Sequence, residues 1–144
     1  MANKKIYTFF GLLIFLLSSC FGLFDSKADK IIGRYNVGWI DIISSRSVDL
    51  ATEDGELGGI PLVPAYVYGV GHNKKFIIVK QHPVINHNEI IDTKKTNYFI
   101  IDIAKDNYKK EGVYGPLTEI QFDSVLIKLN VGGIEFNMSY PDKP

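Results

Sequence analysis

Two histidines, His82 and His87, stand five residues apart in Gln-His-Pro-Val-Ile-Asn-His-Asn-Glu, and Glu89 and Asp92 follow closely. Imidazoles and carboxylates together suit zinc or another divalent metal, or acid–base work. Their spacing matches no defined site. A separation of five would aim the two rings apart on a helix, and Pro83 speaks against a regular helix there. The plainer reading is a polar surface loop. Glu53, Asp54 and Glu56 surround Gly55. Several oxygens on a tight bend are what a hard cation wants, but the full alternation of oxygen ligands is missing, so this too reads as a solvated loop. Asp41, Asp49, Asp102 and Asp123 could supply paired carboxylates, yet no local spacing pairs them. Asp41 and Asp102 fall among apolar strand residues, where a carboxylate must be exposed or hydrogen-bonded. No Gly-Xaa-Ser-Xaa-Gly elbow, His-Glu-Xaa-Xaa-His motif or phosphate loop occurs. The aromatic supply is larger: Tyr35, Trp39, Tyr66, Tyr68, Tyr98, Tyr108, Tyr114 and Tyr140 could form a contact surface for protein or sugar, or serve ordinary sheet packing.

These groups need strands to hold them. Tyr35, Val37 and Trp39 alternate with Asn36, Gly38 and Ile40, which predicts a strand over 34–43. Ser44 to Arg46 breaks it, and a short strand returns over 47–51. Residues 52–59 are acidic and glycine-rich and read as a loop. Pro61 and Pro64 make 60–64 extended but unfit for a central strand. Residues 65–70 and 75–80 are apolar runs about a Gly-His-Asn-Lys turn and predict a hairpin. The unbroken Phe76-Ile77-Ile78-Val79 implies cover on both faces. Another strand is predicted over 97–103, and a polar surface loop over 104–114. Thr118 and Gln121 form a capping box before Phe122, Val125, Leu126 and Leu129, which lie on one stripe of 3.6 period. Ile134, Phe136 and Met138 then alternate in a final strand. The expectation is an α+β fold: a mostly antiparallel sheet of five to seven short strands, with one helix over about 118–130 packed on it.

Bulk composition narrows the function. Among 144 residues, Lys plus Arg and Asp plus Glu are 16 each, so nothing supports a nucleic-acid partner held by net charge. A single cysteine excludes an internal disulfide and any Cys-clustered metal site. No cofactor is expected.

That cysteine closes the most specific pattern in the chain. Lys4 and Lys5 precede an uncharged run from Ile6 to Leu17. As a helix the run would be about 18 Å long, short of the ~30 Å hydrocarbon core of a bilayer. It has the form of a secretory signal segment. Leu17-Ser18-Ser19-Cys20 at its end resembles the lipobox of bacterial lipoproteins. That resemblance implies cleavage before Cys20 and acylation of its thiol and new amino terminus, after which no free thiol remains. Two or three acyl chains would anchor the protein stably. The expected organisation is a signal peptide at 1–19, a lipidated tether at 20–30, one domain at 31–140 and a tail at 141–144. Without Lys4 and Lys5 the mature chain has 14 basic residues against 16 acidic ones. Phe21 replaces the aspartate that retains enterobacterial lipoproteins in the inner membrane, which in a diderm host implies the outer membrane.

Downstream, Gly33-Arg34-Tyr35, Ile60-Pro61, Phe76-Ile77-Ile78-Val79-Lys80-Gln81, Asn97-Tyr98-Phe99-Ile100-Ile101 and Gly115-Pro116-Leu117-Thr118 with Phe122 occur in order. Together they resemble the DUF3997-like family of small bacterial lipoproteins. The resemblance carries no catalytic residues onto positions of this chain and leaves the activity open. The expected function is that of a membrane-anchored, extracytoplasmic, non-catalytic envelope lipoprotein that binds a protein or other envelope component. The competing expectation is a small envelope hydrolase using carboxylates or the His82/His87 region.

Overall fold

Strand formation goes further than the alternating patterns predict. The computed structural model describes residues 26–40, 42–52, 59–85 and 90–141. Within them the first sheet is an antiparallel meander of β1 (Ser26–Ile32), β2 (Tyr35–Ile40), β3 (Ser47–Leu50) and β4 (Ile60–Val63), paired in chain order. The second contains β5 (Val67–His72), β6 (Phe76–Gln81), β9 (Asn97–Asp102), β10 (Val113–Leu117) and β11 (Met138–Ser139), in the spatial order β10-β9-β6-β5-β11. A two-stranded hairpin, β7 (Val84–Ile85) and β8 (Ile90–Ile91), is separate from both. Helix α1 spans Glu119–Lys128. The α+β class and the antiparallel pairing are as expected.

Side-chain alternation along β6 and β9 creates two cores. Ile77, Val79, Phe99 and Ile101 point toward the first sheet and join Val37, Val48, Leu50 and Leu62 in one apolar cluster. Ile78 and Ile100 point the other way and meet Phe122 of α1, with Val125, Leu126 and Leu129 half-buried around them. The layers are therefore sheet, sheet and helix, and β6 is covered on both faces as its unbroken apolar run implies. The predicted capping box is formed. Thr118 Oγ1 accepts from the Gln121 N–H at 3.4 Å, and Gln121 Oε1 accepts from the Thr118 N–H at 2.9 Å.

Four strands had no counterpart in the sequence expectation. Residues 26–30, read as tether, form most of β1, because pairing with β2 satisfies a backbone that has no apolar alternation of its own. Val113–Leu117 joins β9 despite Gly115-Pro116, since an edge strand tolerates a missing donor and the register shifts between Tyr114 and Leu117. β7 and β8 lie in the stretch read as a polar loop. Conversely, only Met138 and Ser139 of the expected last strand pair, with β5. Ile134 and Phe136 pack on the helix-side core instead.

Candidate functional site

A cleft of about 350 Å3 opens where β4 of the first sheet approaches β9 and β10 of the second. Leu62, Phe99, Val113 and Pro116 supply its apolar lining. Gly115 crosses Phe99 with φ +149°, and a Cβ there would stand 2.3 Å from Phe99 Cδ1, so only glycine lets the strand pass over the ring. Two carboxamides supply the polar part. Cross-strand register places Gln81 opposite Asn97. Gln81 Nε2 donates to the Ala65 carbonyl at 2.6 Å, and Asn97 Nδ2 donates to Gln81 Oε1 at 2.9 Å. Asn97 Oδ1 takes no partner among the described residues and remains an acceptor for a ligand. Lys110 stands exposed at the rim with φ 59°, and no carboxylate pairs with its ammonium among the described residues. The cleft therefore offers an apolar floor, a rigid amide pair and one positive charge.

The sequence-derived candidates fall elsewhere. His82 is 4 % exposed. Its ring stacks on Tyr68 at 4.1 Å and its Nδ1 lies 2.7 Å from the Lys95 carbonyl oxygen. Its main chain exchanges hydrogen bonds with Tyr66, which extends the β5–β6 ladder by one pair. Asp92 caps its own turn by accepting from the Lys94 N–H at 3.1 Å. His82 and Asp92 thus close the segment around the β7–β8 hairpin rather than face the cleft. Asp102 accepts from the Ala104 N–H at the end of β9, and Asp123 is exposed on α1. Asp49, half-buried on β3, accepts from Ser47 Oγ at 2.9 Å. Burial pushes its carboxyl above the usual value, and the Ser47 hydrogen bond opposes the shift. No three metal-ligating side chains gather among the described residues. Cys20, Asp41, Glu53, Asp54, Glu56, His87 and Glu89 lie outside the described residues.

Two buried polar residues had no signal in the sequence. Arg46, read there as part of a strand break, is 2 % exposed. Its guanidinium carbon lies 5.2, 5.0 and 4.6 Å from the ring centroids of Trp39, Tyr66 and Tyr140. Nη1 donates to the Val67 carbonyl at 3.3 Å, and Nε is buried without a partner. Three π-faces thus take the place of a carboxylate around the buried guanidinium. Tyr140 is itself perturbed. Burial first, then the nearby Asp29 carboxylate, push its phenol up to about 12, and Arg46 opposes them. Its hydroxyl nonetheless lacks a well-formed hydrogen bond. The second residue, Asn107, is 2 % exposed. It donates to Tyr35 Oη and to the Asp102 carbonyl, both at 2.8 Å, and accepts from the Gly112 N–H at 3.0 Å. It ties the loop before β10 to the first sheet and so fixes one wall of the cleft.

Among the described residues no helix is long and apolar enough to cross a membrane. A family model, described as a protein of unknown function (DUF3997), matches residues 24–140. No curated protein and no solved structure matches the chain.

Proposed function

The chain belongs to the DUF3997 family, and on that premise we propose that it is a membrane-anchored, non-catalytic lipoprotein that binds a segment of an envelope protein in the cleft between β4 and β10. The anchor rests on residues 1–20: two lysines, a 12-residue uncharged run and a lipobox-like Leu-Ser-Ser-Cys. Acylation of Cys20 would hold the domain on the extracytoplasmic surface of a cell membrane or an outer membrane.

The observation that carries the binding reading is the composition of the cleft. Its fixed polar groups, Gln81 and Asn97, are carboxamides. They donate and accept hydrogen bonds without titrating, which serves recognition of peptide groups rather than proton transfer. Apolar area with a few convergent polar atoms is the usual make-up of a recognition site. Pro61 on β4 and Pro116 on β10 each remove a main-chain donor from the two strands that border it. A bound segment would therefore be held by side chains and amides inside the cleft, not by strand addition. Lys110 at the rim favours an acidic segment.

Site-specific photo-cross-linking in intact cells tests this. A photoreactive residue at Lys110 is expected to trap one discrete partner, whereas the same residue at Lys74, in the β5–β6 turn, traps none. Asn97→Ala should reduce the Lys110 adduct. Equal labelling from both positions, or an adduct indifferent to Asn97→Ala, refutes the cleft as the binding site. Intact mass tests the anchor separately. Wild type should lose residues 1–19 and gain two or three acyl chains, and Cys20→Ser should gain none.

A further inference from the structure

We infer that the loop between β9 and β10, residues 103–112, is the specificity arm of the cleft. It holds the Lys110 ammonium at the rim to pair with an aspartate or glutamate side chain of the bound segment, and Asn107 and Tyr108 are the positioning residues that fix it there. The inference rests on the cleft reading and deepens it: it names the side chain that the segment must carry and the residues that select for it.

The loop is fastened to the first sheet at two successive residues. Asn107, buried, donates from Nδ2 to Tyr35 Oη on β2 at 2.8 Å, across 72 positions of sequence. The same carboxamide holds the loop's two ends, donating to the Asp102 carbonyl at 2.8 Å and accepting from the Gly112 N–H at 3.0 Å. A Cβ at Gly112 would stand 2.5 Å from Asn107 Oδ1 and from the Asp102 carbonyl oxygen, so glycine lets the loop close this tightly. One residue on, the Tyr108 hydroxyl accepts from Arg34 Nη1, immediately before β2. A loop tied at its ends and at its middle presents its tip in one place.

That tip is Lys110. Among the described residues, Lys110 and Asn130 are the non-glycine residues with positive φ, at 59° and 53°. Asn130 follows the C-cap of α1, where asparagine takes a left-handed backbone at little cost. Lysine has no such ease. Its conformation is held from both sides: its N–H donates to the Asn107 carbonyl at 3.2 Å, and its carbonyl accepts from the Val113 N–H at 3.1 Å. Glycine or asparagine would fill this position more cheaply, so lysine here trades backbone ease for an ammonium at the rim. The neighbouring Lys109 is already paired with Asp106 at 3.4 Å. Lys110 has no carboxylate partner among the described residues, and every other residue lining the cleft is uncharged. The lining thus carries one positive charge, and a carboxylate is its complement. Pro64, Lys110, Gly115 and Pro116 are all exposed, so the cleft is an open trough that a continuous segment can cross. A side-chain carboxylate of that segment meets Lys110 while its peptide N–H donates to Asn97 Oδ1.

Peptide arrays read the arm directly. The full-length protein, acylated in a bacterial host and held in detergent, is applied to acetylated, amidated hexapeptides printed in pairs that differ only by Asp against Asn or Glu against Gln. Wild type should be retained by the acidic member about fivefold more than by its carboxamide twin, as an accessible ion pair allows. Salt at about 0.5 M should erase most of the difference. Lys110→Arg should keep the preference. Lys110→Gly should abolish it, yet unfold at the wild-type temperature or above, because glycine takes this φ freely. Tyr35→Phe deletes the acceptor of Asn107 with little loss of volume, and Tyr108→Ala alters an exposed position. Each should cut the preference to about twofold while retention by the carboxamide twins stays unchanged, which a merely structural contact would not do. Lys74→Gln, in the β5–β6 turn, should behave as wild type. Equal retention of acidic and carboxamide members, or a preference that survives Lys110→Gly, overturns the arm and leaves the cleft standing. A preference indifferent to both Tyr35→Phe and Tyr108→Ala overturns the positioning roles. Retention of wild type by no peptide overturns the cleft reading and this inference together.

Discussion

On one face of the β6–β9 pair, Ile77, Val79 and Ile101 are wholly buried against a four-stranded sheet. On the other, Ile78 and Ile100 lie under a ten-residue helix that buries one residue of its own, Phe122, and leaves Ile120 and Ile127 80 % and 82 % exposed. The same apolar alternation feeds both faces. The difference lies in the cover: ten helical residues extend only about 15 Å and present a single stripe. Most of the stability should therefore reside in the two-sheet core, with the helix layer opening more readily.

The strongest way to break this comparison is to open a cavity on each face. Ile101→Ala should cost about 2–5 kcal/mol in denaturant unfolding. Leu126→Ala, from a half-buried position, should cost roughly 1 kcal/mol, because fewer contacts are lost there. Equal losses would make the helix as integral as the first sheet.

Arg46 sharpens the same contrast from within the sealed region. Arg46→Ala should cost about 3 kcal/mol, since it empties the space between three rings, whereas Arg46→Met should cost much less by filling that space without a charge to desolvate. A Met variant as unstable as the Ala variant would show that the cation itself holds Trp39, Tyr66 and Tyr140 together. On the helix side, Thr118→Ala removes half of the capping box and should cost about 1 kcal/mol. Hydrogen exchange should show α1 amides less protected than those of β6, with or without the cap.

The smallest effects are electrostatic, and their sign is fixed. Asp49 has a raised folded-state pKa, so burial of its charged form costs stability as pH rises from the unfolded value near 3.8 through the folded one. Asp49→Asn should flatten that decline and be neutral to mildly stabilising at pH 7. Tyr140 behaves alike at the alkaline end. Its phenol is pushed up from 10.0 to about 12, so the unfolded chain ionises first and stability should fall between those values. Tyr140→Phe should remove this part of the alkaline loss in a pH series of thermal melts.

What could be read in advance follows from locality. The helix, its capping box and the β5–β6 hairpin depend on residues within a few positions of one another. Each was legible as a period or a turn. The two-sided burial of β6 was legible as well, because four apolar residues in succession leave no polar face. β1 and β10 were not. Each gains its structure from a partner strand, and their Ser26-Lys27-Ala28-Asp29-Lys30 and Gly115-Pro116 segments resemble loops when viewed alone. The cleft was illegible for the same reason. Gln81 and Asn97 are 16 positions apart and meet only through strand register. Arg46 and Asn107 looked like ordinary turn residues until three distant rings and a distant tyrosine closed around them. His82 shows the converse: a residue type that suggests chemistry is engaged by a ring and a carbonyl in holding a loop.

The pairing of β1 has a mechanical meaning as well. β1 runs antiparallel to β2 from Ser26 opposite Ile40 to Ile32 opposite Tyr35. Its hydrogen bonds lie across the strand axis. A pull from the proposed lipid at Cys20, when directed along that axis, would load the rungs of the ladder side by side. Peeling from the other end would load them one after another. Shear of this kind requires several bonds to yield together, so the strand that looks like spare tether is the part of the fold suited to bear tension under the proposed anchor.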